Sequence, residues 1–509
     1  MKYQLSFGRV TATAGQGATS TADTGRFRIA LLGDFSGRAN GGRIETGAAL
    51  ARRRPLVVDV DNLDDVISRL GITLQLNVGP ESGTVEVRIE SMDDFHPDNL
   101  YDRVDIFHEL ANLRKRLNDS STFAAAAEEV RAWGIQGVNA EPSVRQREQA
   151  KGSTIPTGQL SDFARLLGRE HVIAERPAAI DDLVRQIVAP HILPAADPQR
   201  EVYVAAVDDA LSAAMRSVSH HPDFQTVESL WRSVDFLVRE LETDTDLQIV
   251  LYDITAEEIA ADLSATDALE ESGLYQLLVE QPRLDEQQGP LSVLLGNYIF
   301  ERVPAHAELL GRMAQVAAAA QAPFVAGIHP QCLEPAESEL HPLVAKSWEI
   351  LRAMPQANYL GLTVPRFLLR VPYGAKSDPI AAFPFEEFTL QSGIGSMLWG
   401  NGAVIVGLLL GTMYRHDGLS RMRLGSLMSA SEMPYHCYTD GDGESIALPC
   451  TERLISESVA VRAEQQNVMP LLSVKGRPEI RLGSFTAVGG AGLAGPWAPL
   501  AIDELAVPI

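Results

Sequence analysis

Ala305-His-Ala-Glu-Leu-Leu-Gly-Arg-Met-Ala-Gln-Val-Ala-Ala-Ala-Ala320, followed after three residues by Phe324-Val-Ala-Gly-Ile328, reads as a helix and then a strand. Outward from this pair the pattern repeats. Residues 247–251, 291–295 and 360–364 are further strand-like runs, and residues 343–354 are a further helix. Alternation of this kind argues for an α/β layer structure with parallel strands. Upstream, residues 203–219 form a helix burying Val204, Val207, Leu211, Met215 and Val218. Pro222 opens the next, where Val227, Leu230, Trp231, Val234, Leu237, Val238 and Leu241 fall at helical spacing. Downstream, residues 397–413 are the most apolar stretch. They are shorter than the ~20 residues of a membrane span, so a buried core helix is expected. Residues 435–438, 446–448 and 469–474 complete this part, and beyond Phe485 a Gly-, Ala- and Pro-rich tail is expected to be loose.

The N-terminal part differs. Lys2-Tyr-Gln-Leu-Ser-Phe-Gly-Arg-Val10 alternates Tyr3, Leu5 and Phe7 with polar neighbours, the period of a strand. A Gly, Ala, Ser and Thr stretch over residues 11–25 follows and reads as a flexible tether. An exposed strand on a tether suits pairing with another chain's sheet edge. Residues 27–32 and 56–60 read as buried strands, and Asp61 as the cap of a helix through Leu70. Residues 72–78 and 84–90 alternate around Gly79-Pro-Glu-Ser-Gly83, a hairpin with one buried face. A helix over residues 98–117 ends this small mixed α/β unit. Residues 119–198 form a connector with short helices. One of these, over residues 158–168, places Leu160, Phe163, Leu166 and Leu167 on one side. Docking of that face on its own domain is favoured over its being offered to a partner groove.

A chain of 509 residues is too long for one ordinary core, so two or three domains are expected. Basic residues number 43 against 67 acidic ones, a formal charge of −24, which argues against nucleic acid as the main partner. Cys332, Cys437 and Cys450 are too few and too scattered for a disulfide framework. With no secretory leader, a cytoplasmic location without membrane insertion is expected.

Candidate chemical sites each meet a simpler reading. Gly490-Ala-Gly-Leu-Ala-Gly495 has the dinucleotide spacing, but Pro496 and Pro499 follow where a crossover helix belongs, so a flexible tail is favoured. Asp440-Gly-Asp-Gly-Glu444 begins like a calcium loop, yet Ser445 holds the glycine position and Thr451 the bidentate one; a hairpin turn is favoured. His436, Cys437 and Cys450 match no zinc spacing. Asp93 and Asp94 before Pro97 read as helix caps and His96 as a junction residue, while His220 and His221 read as a helix–helix corner that bonds the last helical carbonyls. No nucleophile elbow, phosphate loop or H-E-x-x-H is present, so an enzyme is not indicated and no cofactor is expected.

Longer blocks carry a resemblance. Phe27-Arg-Ile-Ala-Leu-Leu-Gly-Asp-Phe-Ser-Gly37, Val58-Asp-Val-Asp-Asn-Leu-Asp-Asp65 and Glu90-Ser-Met-Asp-Asp-Phe-His-Pro97 resemble the small subunit of the type VI secretion contractile sheath. His220-His-Pro-Asp-Phe-Gln-Thr-Val-Glu-Ser-Leu-Trp-Arg232, Ser272-Gly-Leu-Tyr275, Ala322-Pro-Phe324, the run from Tyr359 to Tyr373 and Leu398-Trp-Gly-Asn401 resemble its large subunit. The resemblance implies a mixed α/β, multidomain, phage-tail-sheath-like chain in which a small sheath domain precedes a larger α/β layer domain. Its expected parts are an exchange strand and tether (1–25), the small-subunit-like domain (26–120), a helical connector (121–198), the large-subunit-like domain (199–483) and a flexible tail (484–509). The implied partners are other sheath subunits or copies of itself, an inner tube protein, a baseplate and a recycling unfoldase ATPase. Lacing by strand exchange falls on Tyr3, Leu5 and Phe7, and ATPase recognition on Leu160, Phe163, Leu166 and Leu167. The two subunits are fused here, and residues 484–509 offer no counterpart to the strands with which family large subunits continue past the point matching Arg481. A cap, baseplate adaptor or assembly regulator that does not polymerise is therefore the alternative.

Overall fold

In the computed structural model of the chain, residues 5–10, 25–78, 83–137, 200–285, 289–334, 340–439 and 444–497 are described. One nine-stranded sheet runs through them. In chain order its strands are β1 (Phe27–Gly33), β2 (Leu56–Val58), β3 (Leu247–Asp253), β4 (Val293–Phe300), β5 (Phe324–Ile328), β6 (Leu360–Val364), β7 (Ser429–Ser431), β8 (Met469–Ser473) and β9 (Glu479–Leu482). Across the sheet they lie in the order β7-β9-β8-β6-β5-β4-β1-β3-β2. Strands from β8 to β3 are parallel, whereas β2, β9 and β7 are antiparallel to the strand beside them. Parallel strands covered on both faces carry near-continuous apolar runs. That is the reason β1 and β5 are buried along their whole length.

The helices around the sheet include α1 (Leu63–Leu70), α2 (Asp105–Asn118), α3 (Arg200–Ser219), α4 (Pro222–Glu240), α5 (Ala256–Ser264), α6 (Pro304–Ala320) and α7 (Ala403–Asp417). Side chains of β1 alternate between two cores. Phe27, Ile29 and Leu31 join α3, α4 and α7, and Ala30 and Leu32 join α5 and α6 on the other face. α7 occupies the apolar stretch expected to be a core helix, and eleven of its residues, from Ala403 to Tyr414, are buried. Among the described residues no helix is long and apolar enough to cross a membrane.

β1 sits between β3 and β4, with Phe27 beside Leu247, Gly33 beside Asp253 and Ile29 beside Val293. The boundary expected at residue 120 therefore does not divide this sheet. A strand apolar on both faces needs a neighbour on each edge and a layer on each side, and the first 120 residues alone do not supply them. Their own hairpin, Ile72–Asn77 with Thr84–Ile89, is a separate two-stranded sheet with strictly alternating burial, as its sequence period indicates. Asn40 blocks one edge of it. Its side-chain amide accepts from the Gln75 N–H (2.8 Å) and donates to the Gln75 carbonyl (3.1 Å), as a neighbouring strand would.

Several local expectations change. α1 begins after Asn62 rather than at an Asp61 cap. The helix expected over residues 98–117 breaks at Val104, whose extended backbone (ψ 123°) separates Pro97–Arg103 from α2. Of the connector, Phe123–Gly137 is helical. The tail expected to be loose from residue 484 is instead packed as far as Trp497. Ala487 and Val488 are buried, the Val488 N–H donates to the Leu360 carbonyl (2.9 Å), and the Ala494 N–H donates to that of Asn358 (2.8 Å). Gly490, at φ +91°, lets the chain reverse there, so the glycines serve a turn that returns apolar residues to the core.

Candidate assembly surface

Leu5–Val10, the described part of the proposed exchange strand, lies along its own chain. Phe7 rests on α6 at Gly311, where a β-carbon would stand 2.0 Å from the ring. Two polar side chains of α6 hold the backbone. Arg312 donates to the Ser6 carbonyl (2.8 Å), and Gln315 donates to the carbonyls of Phe7 and Gly8 and accepts from the Val10 N–H (3.2 Å). On the other side the Arg9 N–H donates to the Asp267 carbonyl (2.7 Å), and the Leu269 N–H donates to the Arg9 carbonyl (3.0 Å). This is a single parallel bridge, Arg9 to Ala268, rather than a ladder. Asp267 also accepts from the Ser6 hydroxyl and from Arg312, both at 2.9 Å; these two bonds hold its carboxyl below the usual range. Gly8, at φ +67°, lies so close to Leu269 that a β-carbon would stand 2.9 Å from Cγ.

Of the residues singled out for assembly, Leu5 and Phe7 are half-buried in this seat. Tyr3 lies outside the described residues, as do Leu160, Phe163, Leu166 and Leu167. The sequence reading missed the receiving residues Asp267, Gly311, Arg312 and Gln315. One signal was available. Arg312 and Gln315 are three apart on a largely apolar helix, and both are buried, as are His306 and Glu308 nearer its start. A buried polar pair facing one direction needs partners.

The blocks that carried the resemblance prove to be joints. Asp34, at the end of β1, accepts from the N–H groups of Arg38 (2.8 Å) and Ala39 (3.0 Å), and burial raises its pKa to about 6. The Trp231 indole donates to the Phe35 carbonyl (3.1 Å), tying the first segment to α4. Arg53 donates to Glu258 (2.6 Å) and to the Asp253 carbonyl (2.7 Å), and Arg38 pairs with Asp253. Ser272-Gly-Leu-Tyr275 has a clear task. Ser272 caps its helix by accepting from the Tyr275 N–H (3.1 Å), while Asp262 accepts from the N–H groups of Gly47 (2.6 Å) and Leu274 (2.8 Å). A β-carbon on Gly273 would stand 2.2 Å from the Gly47 carbonyl oxygen, so only glycine admits that loop.

A second joint is charged and buried. Arg370 reaches Glu228 of α4 (2.8 Å) and Glu387 (2.6 and 2.9 Å), and its guanidinium lies 4.2 Å from the Tyr373 ring centroid. Arg232 joins Glu228 (2.7 Å) and the Tyr373 hydroxyl (2.9 Å). Burial alone would raise the Glu387 carboxyl, but Arg370 and His220 outweigh it and hold it below the usual range. His220 sits 3.5 Å from Glu387, and His221 accepts from the Asp223 N–H (3.3 Å) as the N-cap of α4. The corner histidines thus face forward, not back to the carbonyls of α3. His96, His329 and His341, each followed by proline, cap their helices in the same way. Asp94 closes a capping box with Ser91, as its position before Pro97 suggests. Residues 440–443, where a hairpin turn is expected, lie outside the described residues; the strands Cys437–Thr439 and Ser445–Ala447 pair antiparallel.

Comparison with known proteins gives three findings. Residues 201–488 match the family described as EvpB/VC_A0108, tail sheath N-terminal domain. Residues 16–138 match the family described as Type VI secretion system, VipA, VC_A0107 or Hcp2. The Pseudomonas aeruginosa type VI secretion system sheath protein TssC1 is 33% identical over 352 residues, covering 64% of this chain and 70% of that protein.

Proposed function

The chain belongs to the type VI secretion sheath family, and from that premise we propose that it is a fused small and large sheath subunit that assembles by strand exchange around an inner tube and contracts to drive it outward. In this reading its role is structural, its location is cytoplasmic, and its partners are copies of itself or other sheath subunits. The tube protein, a baseplate and a recycling unfoldase complete the machine. The recycling enzyme would grip the face of Leu160, Phe163, Leu166 and Leu167. The observation that carries the assembly part is the mode by which Leu5–Val10 is held. The side chains of Arg312 and Gln315 grip backbone carbonyls, one parallel bridge at Arg9 adds main-chain bonds, and a single aromatic anchor, Phe7, fills the space over Gly311.

Fusion sets the ratio of the two parts at one to one and makes their pairing intramolecular, with a high effective concentration. Negative-stain imaging of the purified full chain tests the reading, with rings or tubes expected. Deleting residues 1–10 is expected to leave thermal unfolding within a few degrees of the parent and to abolish those assemblies. Persistent monomers of the intact chain would favour a cap or adaptor, and unchanged tubes after the deletion would remove the exchange strand.

A further inference from the structure

We propose that the cleft between residues 371–377, 386–390 and 435–439 is a docking site for an extended, acidic peptide of a partner protein, which adds as a third strand to the free edge of Cys437–Thr439. The inference goes beyond the sheath reading and holds whether or not the chain polymerises. The chain's own Leu5–Val10 segment, seated on α6, has no part in it.

Register leaves that edge open. Cys437 stands opposite Ala447, and the Leu448 N–H donates to the His436 carbonyl (2.9 Å). Hydrogen-bonded and non-hydrogen-bonded pairs alternate along an antiparallel ladder, so the N–H and C=O groups of Cys437 and Thr439 point away from the partner strand. Among the described residues they meet no hydrogen-bond partner. Asn40 fills an edge of the Ile72–Asn77 hairpin, but among the described residues nothing fills this one. The edge borders a cleft of about 650 Å³, and every residue from Tyr435 to Thr439 lines it. Side chains alternate along a strand, so consecutive lining residues put the backbone itself in the wall. The walls also select side chains. Phe388 lies 5.3 Å from His436 and 5.0 Å from Tyr438, ring centroid to centroid, and Leu390 near it is exposed, which makes an apolar seat. His436 Nε2 is buried with no partner among the described residues. On the facing wall Lys376 is exposed and in no ion pair among the described residues, whereas the Glu386 carboxylate accepts from the Ala375 N–H (3.0 Å). The free cation selects an acidic residue beside the apolar one, and the unpaired edge selects main chain rather than a small molecule.

The test pans a phage-displayed library of random peptides on the full-length chain and measures the enriched peptides, made with blocked ends and a fluorophore, by fluorescence anisotropy. Enriched peptides are expected to set an acidic residue beside an apolar one. Bound, they should slow the alkylation of Cys437, which is exposed while Cys332 and Cys450 are buried. Methylating peptide amide nitrogens should weaken binding about tenfold at every second residue and little in between, because only alternate amides face the edge. Thr439→Pro deletes an N–H outside the hairpin's own ladder, so it should weaken binding about fivefold or more without lowering the temperature of unfolding. The proposal is overturned by an absence of enrichment, by peptides that leave Cys437 alkylation unchanged, or by affinity indifferent to the position of the methyl group. The methyl series uses the unaltered chain and decides the matter even where Thr439→Pro does not fold. Enrichment of the Phe7-Gly-Arg9 pattern would overturn it too, by giving the cleft to this chain's own N-terminal segment. Rings or tubes in negative stain bear on the sheath reading alone.

Discussion

Arg370, Glu228 and Glu387 are three buried charges whose stability depends on one another. Glu228 and Glu387 are fully buried; Glu228 keeps Arg232 as a second cation, so Glu387 is the carboxylate that depends most on Arg370. Removing one partner of a buried pair costs about 3–5 kcal/mol, because the remaining charge keeps its desolvation penalty. Arg370→Met is expected to lower unfolding free energy by about that amount in denaturant titrations. The pH dependence has a definite sign. The Glu387 carboxyl is held below its ordinary value in the folded chain, so its contribution is present above the unfolded value of about 4.3 and is lost as pH falls below it. The parent should therefore lose stability on acidification through that range. Arg370→Met should flatten this part of the curve, and an unchanged acid limb would show that Glu387 is not its source. None of these pairings was legible in sequence: Arg370 and Glu387 are joined by a loop, and Glu228 lies 142 positions from Arg370.

At the scale of elements, the short helix that starts at Gly273 receives the loop at Gly47 through a gap that no side chain can enter. Its Ser272 cap and the carboxylate of Asp262 hold both backbones, so the joint is rigid. The obstacle to a larger residue is a carbonyl oxygen rather than the end of a mobile side chain. Gly273→Ala is expected to destabilise the chain by about 1–3 kcal/mol, despite the better intrinsic helix propensity of alanine. Thermal unfolding checks this, and a stability equal to or above the parent's would show that the Gly47 loop moves aside. Helices and hairpins were largely legible because their periods are local. α4 and the Ile72–Asn77 hairpin lie where the spacing of their apolar residues puts them. The break at Val104 was not legible, since the apolar spacing continues through it.

For the whole molecule, β1 in the middle of the sheet makes the two matched segments one folding problem. It contributes a full parallel register to β3 and a partial one to β4, and both of its faces are buried in cores built mainly from later residues. A specific protease site inserted within residues 138–199 and then cleaved should give two fragments that still elute as one particle. They should separate only in denaturant; separation under native conditions would mean that the sheet does not bind the halves. The sequence alone determined which residues are helical or extended, which faces are apolar and which family the blocks resemble, because these are written in neighbouring positions and in local motifs. Tertiary structure decided that β1 lies between β3 and β4, that residues 484–497 return to the core, and that Leu5–Val10 rests on α6. Each of these depends on which buried surfaces and unpaired backbone groups meet across hundreds of residues, and no local period encodes that meeting.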